Sequence, residues 1–342
     1  MNTLQVSESD LLGTSIALSH LDPDRSLSTA QLALCAFETS ADLRGQVHAL
    51  MQITRLFFDK GATHEGGEWL MKALTLSELH DLHPEHGQLL AETGSLHYTL
   101  GDYTEAIAYW TDCLDYANPL FSDEARLHAH VGIGQIYYAL GDYPAALRHH
   151  RLSLDLAAPS NPHTTAKSLL NLAADYYQLE QLKQMEDCLT QAESLCRTAN
   201  NLSYLGEVCY YRTLLALQLD DPVGAQRHAA DAASLQHICS WSQISNAIAQ
   251  AQMLRQRNEH PAALAMLSET LDQVEHSNCR HHLQLVFRLI ATLHHETGNA
   301  AQRAVFLQRY QETSQQLVSD DVQGKLAELE EKLARYTRDS HH

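Results

Sequence analysis

The chain has 342 residues, of which 42 are acidic and 23 are Lys or Arg, leaving a formal charge of −19. That balance repels phosphate-rich surfaces, so neither a nucleic acid nor a membrane is an expected partner. Hydrophobic residues make up 44% of the sequence, enough for a substantial core, and only eight prolines and fifteen glycines stand among abundant Ala and Leu, which favours helix.

No stretch reaches 18 uninterrupted apolar residues, and the opening "MNTLQVSESDLLG" lacks the basic start and apolar run of a signal peptide, so the expected location is cytoplasmic. Seven cysteines (Cys35, Cys113, Cys188, Cys196, Cys209, Cys239, Cys279) include no C-x-x-C pair and sit mostly in alanine-rich helical text. They read as small hydrophobes and reduced thiols rather than a zinc or redox site.

Residues 8–20 and 27–39 read as a first pair of helices, joined by "LDPDRS", in an N-terminal segment 1–40. From residue 41 to 312 a unit recurs. "YTLGDYTEAIAYW" (98–110) returns as "YALGDYPAALRHH" (138–150): a helix ends on Leu100 or Leu140, and Gly101 or Gly141 supplies the positive backbone angle of a helix C-terminus. Asp102 or Asp142 then caps the next helix, Tyr103 or Tyr143 makes its first apolar contact, and Ala106 or Ala146 allows close helix approach. Followed along the chain, the turn falls near residues 61, 101, 141, 180, 220, 258 and 298, a spacing of 38 to 40 that predicts seven helical hairpins.

The order Gly94…Tyr98…Leu100-Gly101-Asp102-Tyr103…Ala106…Trp110…Pro119, repeated in part by Gly134…Tyr138…Ala146, resembles a tetratricopeptide repeat. The period exceeds that family's usual ~34 residues. The resemblance implies an all-α fold, a right-handed α-α superhelix in which each hairpin buries the apolar stripe of its neighbours. First helices would line a concave wall carrying Phe58 and the candidate binding residues Arg55, Tyr98, Gln135, Tyr138, Tyr177, Tyr210, Gln252, Arg255 and Arg288. Tyrosines and a few arginines suit a protein or peptide segment, because rigid aromatics give contact area at small entropic cost. The Lys and Asn clamp of co-chaperone repeats is absent: its places hold Met51 and Arg55, Ala91 and Ser95, Val131 and Gln135.

No catalytic motif emerges. P-loop, G-x-S-x-G and H-E-x-x-H patterns are missing, and Gly132 and Gly134 of "HVGIGQIYY" lie within a helix rather than after a strand. No cofactor or metal is expected. "HEGGEW" (64–69) fits a hairpin start better than a metal site. Twenty-two histidines, among them His80, His83 and His86 and the pairs His149–His150, His281–His282 and His294–His295, read as exposed solvating groups, since adjacent helical residues point about 100° apart and chelate poorly. His341 and His342 read equally as the start of a tag.

Residues 313–342 form a last segment. In "SDDVQGKLAELEEKLARYTRDSHH", Val322, Leu326, Leu329, Leu333 and Tyr336 take coiled-coil d and a positions among Glu328, Glu330, Glu331, Lys332 and Arg335, which predicts a dimerising helix or, failing that, a cap on the final hairpin. "LARYTRDSHH" resembles the linker before a GGDEF diguanylate cyclase domain. That resemblance implies a non-catalytic sensor passing ligand occupancy through a homodimer to an output domain. The alternative is a free-standing scaffold.

Overall fold

The computed structural model describes residues 7–19, 21–118, 120–158, 161–235, 239–277, 280–315 and 317–339. Pro119, Cys279, His341 and His342 lie outside them, as does the side chain of His281. Among the described residues there are seventeen helices and no strand. They pair as α1 (Glu8–Leu18) with α2 (Pro23–Ser40), α3 (Leu43–Asp59) with α4 (Thr63–Leu79), α5 (His83–Leu100) with α6 (Tyr103–Cys113), and α7 (Asp123–Leu140) with α8 (Tyr143–Leu156). The series continues as α9 (Pro162–Gln178) with α10 (Leu182–Thr198), α11 (Leu202–Gln218) with α12 (Pro222–Leu235), α13 (Ser240–Gln256) with α14 (His260–Ser277), and α15 (Arg280–Glu296) with α16 (Ala300–Ser314). A single helix, α17 (Asp320–Asp339), follows. The first pair opens earlier than "LDPDRS" suggests, because Asp22 caps α2 through the Arg25 amide and Pro23 occupies its first turn.

Each expected turn position carries a positive φ: Gly61, Gly101, Gly141 and Gly298, but also Glu180, Asp220 and Asn258. The left-handed geometry is therefore kept where the glycine is lost, because it closes the first helix and aims the second. Glu180, at φ 57°, has neither the short polar side chain of Asn or Asp nor the freedom of Gly. Glu180→Gly is expected to stabilise the protein by about 0.5–1 kcal/mol, after the entropic cost of glycine; urea unfolding followed by circular dichroism checks it. Ala41, Asp81 and Asn200 take the same conformation between hairpins, where the sequence offered no glycine to mark it.

Hairpins stack through residues that remove side-chain bulk or fill it. Ala106 and Ala146 are fully buried. A Cβ on Gly94 would stand 2.5 Å from the Trp110 ring, and one on Gly134 would stand 2.3 Å from the ring of His150. Trp110 and His150 occupy the same place in successive units. Tyr98–Tyr103 and Tyr138–Tyr143 repeat one edge-to-face pair. Asp142 caps α8 through the Ala145 amide, whereas Asp102, in the equivalent place, makes no capping bond and pairs with His97 Nδ1 at 3.2 Å. The core is a string of apolar clusters along the stack, each built by neighbouring hairpins.

The last helix does not cap the final hairpin, and part of its apolar seam packs within the chain. Val322, Leu326 and Leu329 are 1%, 3% and 0% exposed and belong, with Leu317, to the apolar cluster of α5–α8; Leu333 packs against its edge. Most of the seam is thus buried within one chain, and the helix lies on α6 rather than on the final hairpin. No described helix is long and apolar enough to cross a membrane.

Candidate functional site

The first helices of successive hairpins face a common interior. It contains a cavity of about 380 Å³ to which α3, α5, α7, α9, α11, α13 and α15 all contribute side chains. Phe58, Tyr98, Gln135 and Tyr138, expected on this wall, do line it. Tyr138 accepts a hydrogen bond from Gln178 Nε2 at 2.8 Å, and burial pushes its hydroxyl up to about 12. Gln135 bridges to Asn171 on the next hairpin at 3.4 Å.

The other expected binding residues are not among those lining this cavity, although the charges of Arg55 and Arg288 bear on Asp59 and Tyr138 of its wall. Tyr210 is 5% exposed and belongs to the core, edge-on to Tyr211 and Trp241. Tyr177 is half-buried between two apolar clusters. Arg55 is exposed and turns toward the N-terminal hairpin, donating to Ser19 Oγ at 3.2 Å. Arg255 is held by Glu296, with Nε 2.8 and 2.9 Å from the two carboxylate oxygens. Gln252 is half-buried and Arg288 exposed, both outside the cavity lining.

In their place come Asp59, Lys167, Asn171, Tyr204, Glu207, Tyr211, Trp241 and His282. Counting back from each hairpin's positive-φ residue explains the difference. Lys167 and Glu207 stand thirteen residues before it, Asn171 and Tyr211 nine, Ser95 and Gln135 six, and Asp59 and Thr99 two. This is one helical stripe of the i, i+4, i+7, i+11 kind. The expected stripe included the position ten before the turn, which holds Tyr210 but also the buried Ala91, Val131 and Leu170. Of these, Ala91 and Val131 face the core, whereas Leu170 also lines the cavity.

Several buried carboxyls and one buried ammonium meet in the interior. Burial holds the carboxyls of Asp59 and Glu92 above their ordinary range and raises Glu207 to about 7; Arg55 and then Lys167 oppose the shift of Asp59, Lys167 and then Arg55 that of Glu92, and Lys167 with the Trp241 indole hydrogen bond that of Glu207. Burial lowers Lys167 in turn, against the pull of Glu92, Glu207 and Asp59. Trp241 stacks on His282 with centroids 4.8 Å apart and planes at 17°.

Nothing in this wall is arranged as a nucleophile with its base. Cys239 and Ser203 touch at 3.2 Å, but burial raises the thiol, the opposite of activation. His150 reaches Asp175 at 2.6 Å, yet its other nitrogen is occupied by the Val131 carbonyl at 3.3 Å. Among the described residues no three His, Cys, Asp or Glu side chains gather as metal ligands. His64 and Glu68 form only an exposed pair at 3.8 Å.

The histidine pair His149–His150, expected in solvent, is buried at 1% exposure each. Their divergent directions serve two networks: His150 meets Asp175, and His149 meets His130 and Glu330.

Residues 89–158 and 123–198 match the tetratricopeptide repeat family. The fold is a tetratricopeptide-type solenoid. Among solved structures it is similar to a Rap protein complexed with competence and sporulation factor, at 9% identity and a TM-score of 0.58 over 91% of this chain and 98% of that one. It is also similar to aspartyl phosphate phosphatase F from Bacillus subtilis, at 14% identity and a TM-score of 0.51 over 94% of this chain and 86% of the other. At these identities the likeness is one of fold. No curated protein matches the sequence.

Proposed function

We propose that this solenoid is a non-catalytic binding module that takes a peptide or an extended protein segment into its interior. The carrying observation is the cavity itself, to which seven successive first helices contribute aromatic faces, amides and a lone ammonium. Rigid rings supply contact area, and Gln135, Asn171 and Lys167 supply the polar contacts an extended backbone needs. The Rap structure above is named as a complex with competence and sporulation factor, which accords with ligand capture by a solenoid of this shape.

Selection from a random peptide library tests the reading. A selected peptide should lose about tenfold or more in affinity on Lys167→Met, which keeps the apolar stem and removes the charge, with helicity unchanged. Ala174→Trp, which fills the cavity wall, should abolish binding. Peptides that bind both variants as well as the parent chain, or a library that yields no cavity-dependent binder, would remove the reading.

The relay of occupancy through a dimerising helix to a diguanylate cyclase rests on the wording of residues 319–342 alone. Burial of Val322, Leu326 and Leu329 within one chain favours the second reading, a free-standing scaffold whose last helix completes its own fold. The solution mass of the full chain, compared with one ending at Val318, separates the two: a dimer lost on truncation restores the linker.

A further inference from the structure

The sequence ends its repeats at hairpin eight, yet the helix that follows is anchored on hairpins three and four. Glu330 Oε1 accepts from the Tyr137 hydroxyl at 2.9 Å, from Arg148 Nη2 at 2.9 Å and from His149 Nε2 at 3.2 Å. Lys332 Nζ donates to the Thr111 carbonyl at 2.9 Å, and Tyr336 donates to Asp115 at 2.6 Å. These contacts join residues 181 to 221 positions apart. Leu317, in the short link after α16, is already 1% exposed in the same cluster, so hairpin eight is drawn in with the helix. Across the interior α15 touches α5.

We propose that α17 is a strap that holds the superhelix closed around its cavity and that its release opens the cavity. An open stack of hairpins touches only its neighbours and flexes along its length. Tying the eighth hairpin to the third and fourth converts that spring into a ring. The ring encloses the stretch where Tyr138, Lys167, Tyr211 and Trp241 face inward. The strap is built for release as a unit: its apolar seam is short, its polar anchors are concentrated on Glu330, Lys332 and Tyr336, and its outer face is charged, with Glu331 and Arg335 exposed. Closure is a property of the chain alone and stands apart from the identity of any ligand.

Two changes confined to the strap test this, Leu326→Asp with Glu330→Ala, in a Trp69→Phe background that leaves Trp241 and the buried Trp110 as reporters. The expected result is a larger radius of gyration by small-angle X-ray scattering and an iodide quenching constant about twofold higher, with helicity reduced by no more than α17. Hydrogen exchange of residues 320–336 establishes that the strap has left. Free exchange there with radius and quenching unchanged would overturn the proposal. If those amides stay protected, the chain ending at Val318 decides: an unchanged radius and quenching overturn it, and an increase in both supports it.

Discussion

Replacing Trp110 by alanine is expected to lower the free energy of unfolding by about 3–5 kcal/mol. Trp110 is 1% exposed, and its indole N–H donates to the Ala91 carbonyl at 3.1 Å. Its ring lies where the third and fourth hairpins meet, in space two glycines leave open. A Cβ on Gly94 would come within 2.5 Å of the ring, and one on Gly132 within 2.2 Å. The truncation therefore opens a cavity at a hairpin interface, in the cluster that also seats Leu326 and Leu329. In a stack whose stability is a sum of units and neighbour interfaces, a loss at one interface should split the urea transition rather than only shift it.

The two glycines make the claim sharper than a single truncation. In the parent chain Gly132→Ala is expected to destabilise strongly, because the ring must move. In the Trp110→Ala background the same change should be neutral or stabilising, since the space is vacant and alanine gains up to about 1 kcal/mol over glycine within a helix. A double-mutant cycle by urea unfolding measures the reversal. Equal effects in both backgrounds, or a Trp110→Ala cost below about 1 kcal/mol, would show that the ring does not wedge the two hairpins.

The repeat was legible because its turn is backbone geometry written in residue type. Gly101 and Gly141 announce it, and the fixed period carries it to Glu180, Asp220 and Asn258, where no glycine stands. The inner wall was legible only in part. Tyr98 and Tyr138 lie three residues before the turn, on the edge shared by core and cavity, so they fit either stripe. Taking the position ten before the turn instead of nine put Tyr210 in place of Tyr211, and the position thirteen before it, held by Lys167 and Glu207, was not included. Spacing gives the period of a helical face but not its phase; the buried Ala91 and Val131 supply the phase. The path of α17 was not legible at all. An a/d seam specifies an apolar partner and is silent about whether that partner is another helix 17 or α6.

Between pH 6.5 and 4 the protein is expected to lose stability steadily, through imidazoles it keeps neutral. The anchor of α17 fixes every proton along one chain of hydrogen bonds. An ionised Glu330 only accepts, so His149 Nε2 carries the hydrogen it receives at 3.2 Å. A neutral His149 then accepts at Nδ1 from His130 Nδ1 at 3.0 Å, and His130 Nε2 accepts from the Tyr116 hydroxyl at 3.1 Å. Charging His149 would reverse the chain, with Nδ1 donating to His130 and His130 Nε2 to the Tyr116 hydroxyl, and burial opposes that charge. Burial first, then the neighbouring His149, lowers His130 from 6.5 to about 3, while burial also lowers His149 against the pull of Glu330. The unfolded chain binds these protons more readily, so the contribution is fully present above pH 6.5 and is lost as pH falls toward 3, on the order of 3–5 kcal/mol for His130. The His149 hydrogen bond chiefly depresses Glu330 from 4.5 to about 2, so its share is present above 4.5 and lost below; at 36% side-chain exposure, solvent screening reduces it to about 1–2 kcal/mol. Both terms run in the same direction, and the histidines act first. Melting temperature measured across this range should fall from the start of the window, with hydrogen exchange of residues 320–336 rising ahead of the global transition. His130→Gln keeps one donor and one acceptor without a titrating ring, so it should flatten the decline between pH 6.5 and 5. An identical slope in the variant would mean that the relay is not where the protein meets acid.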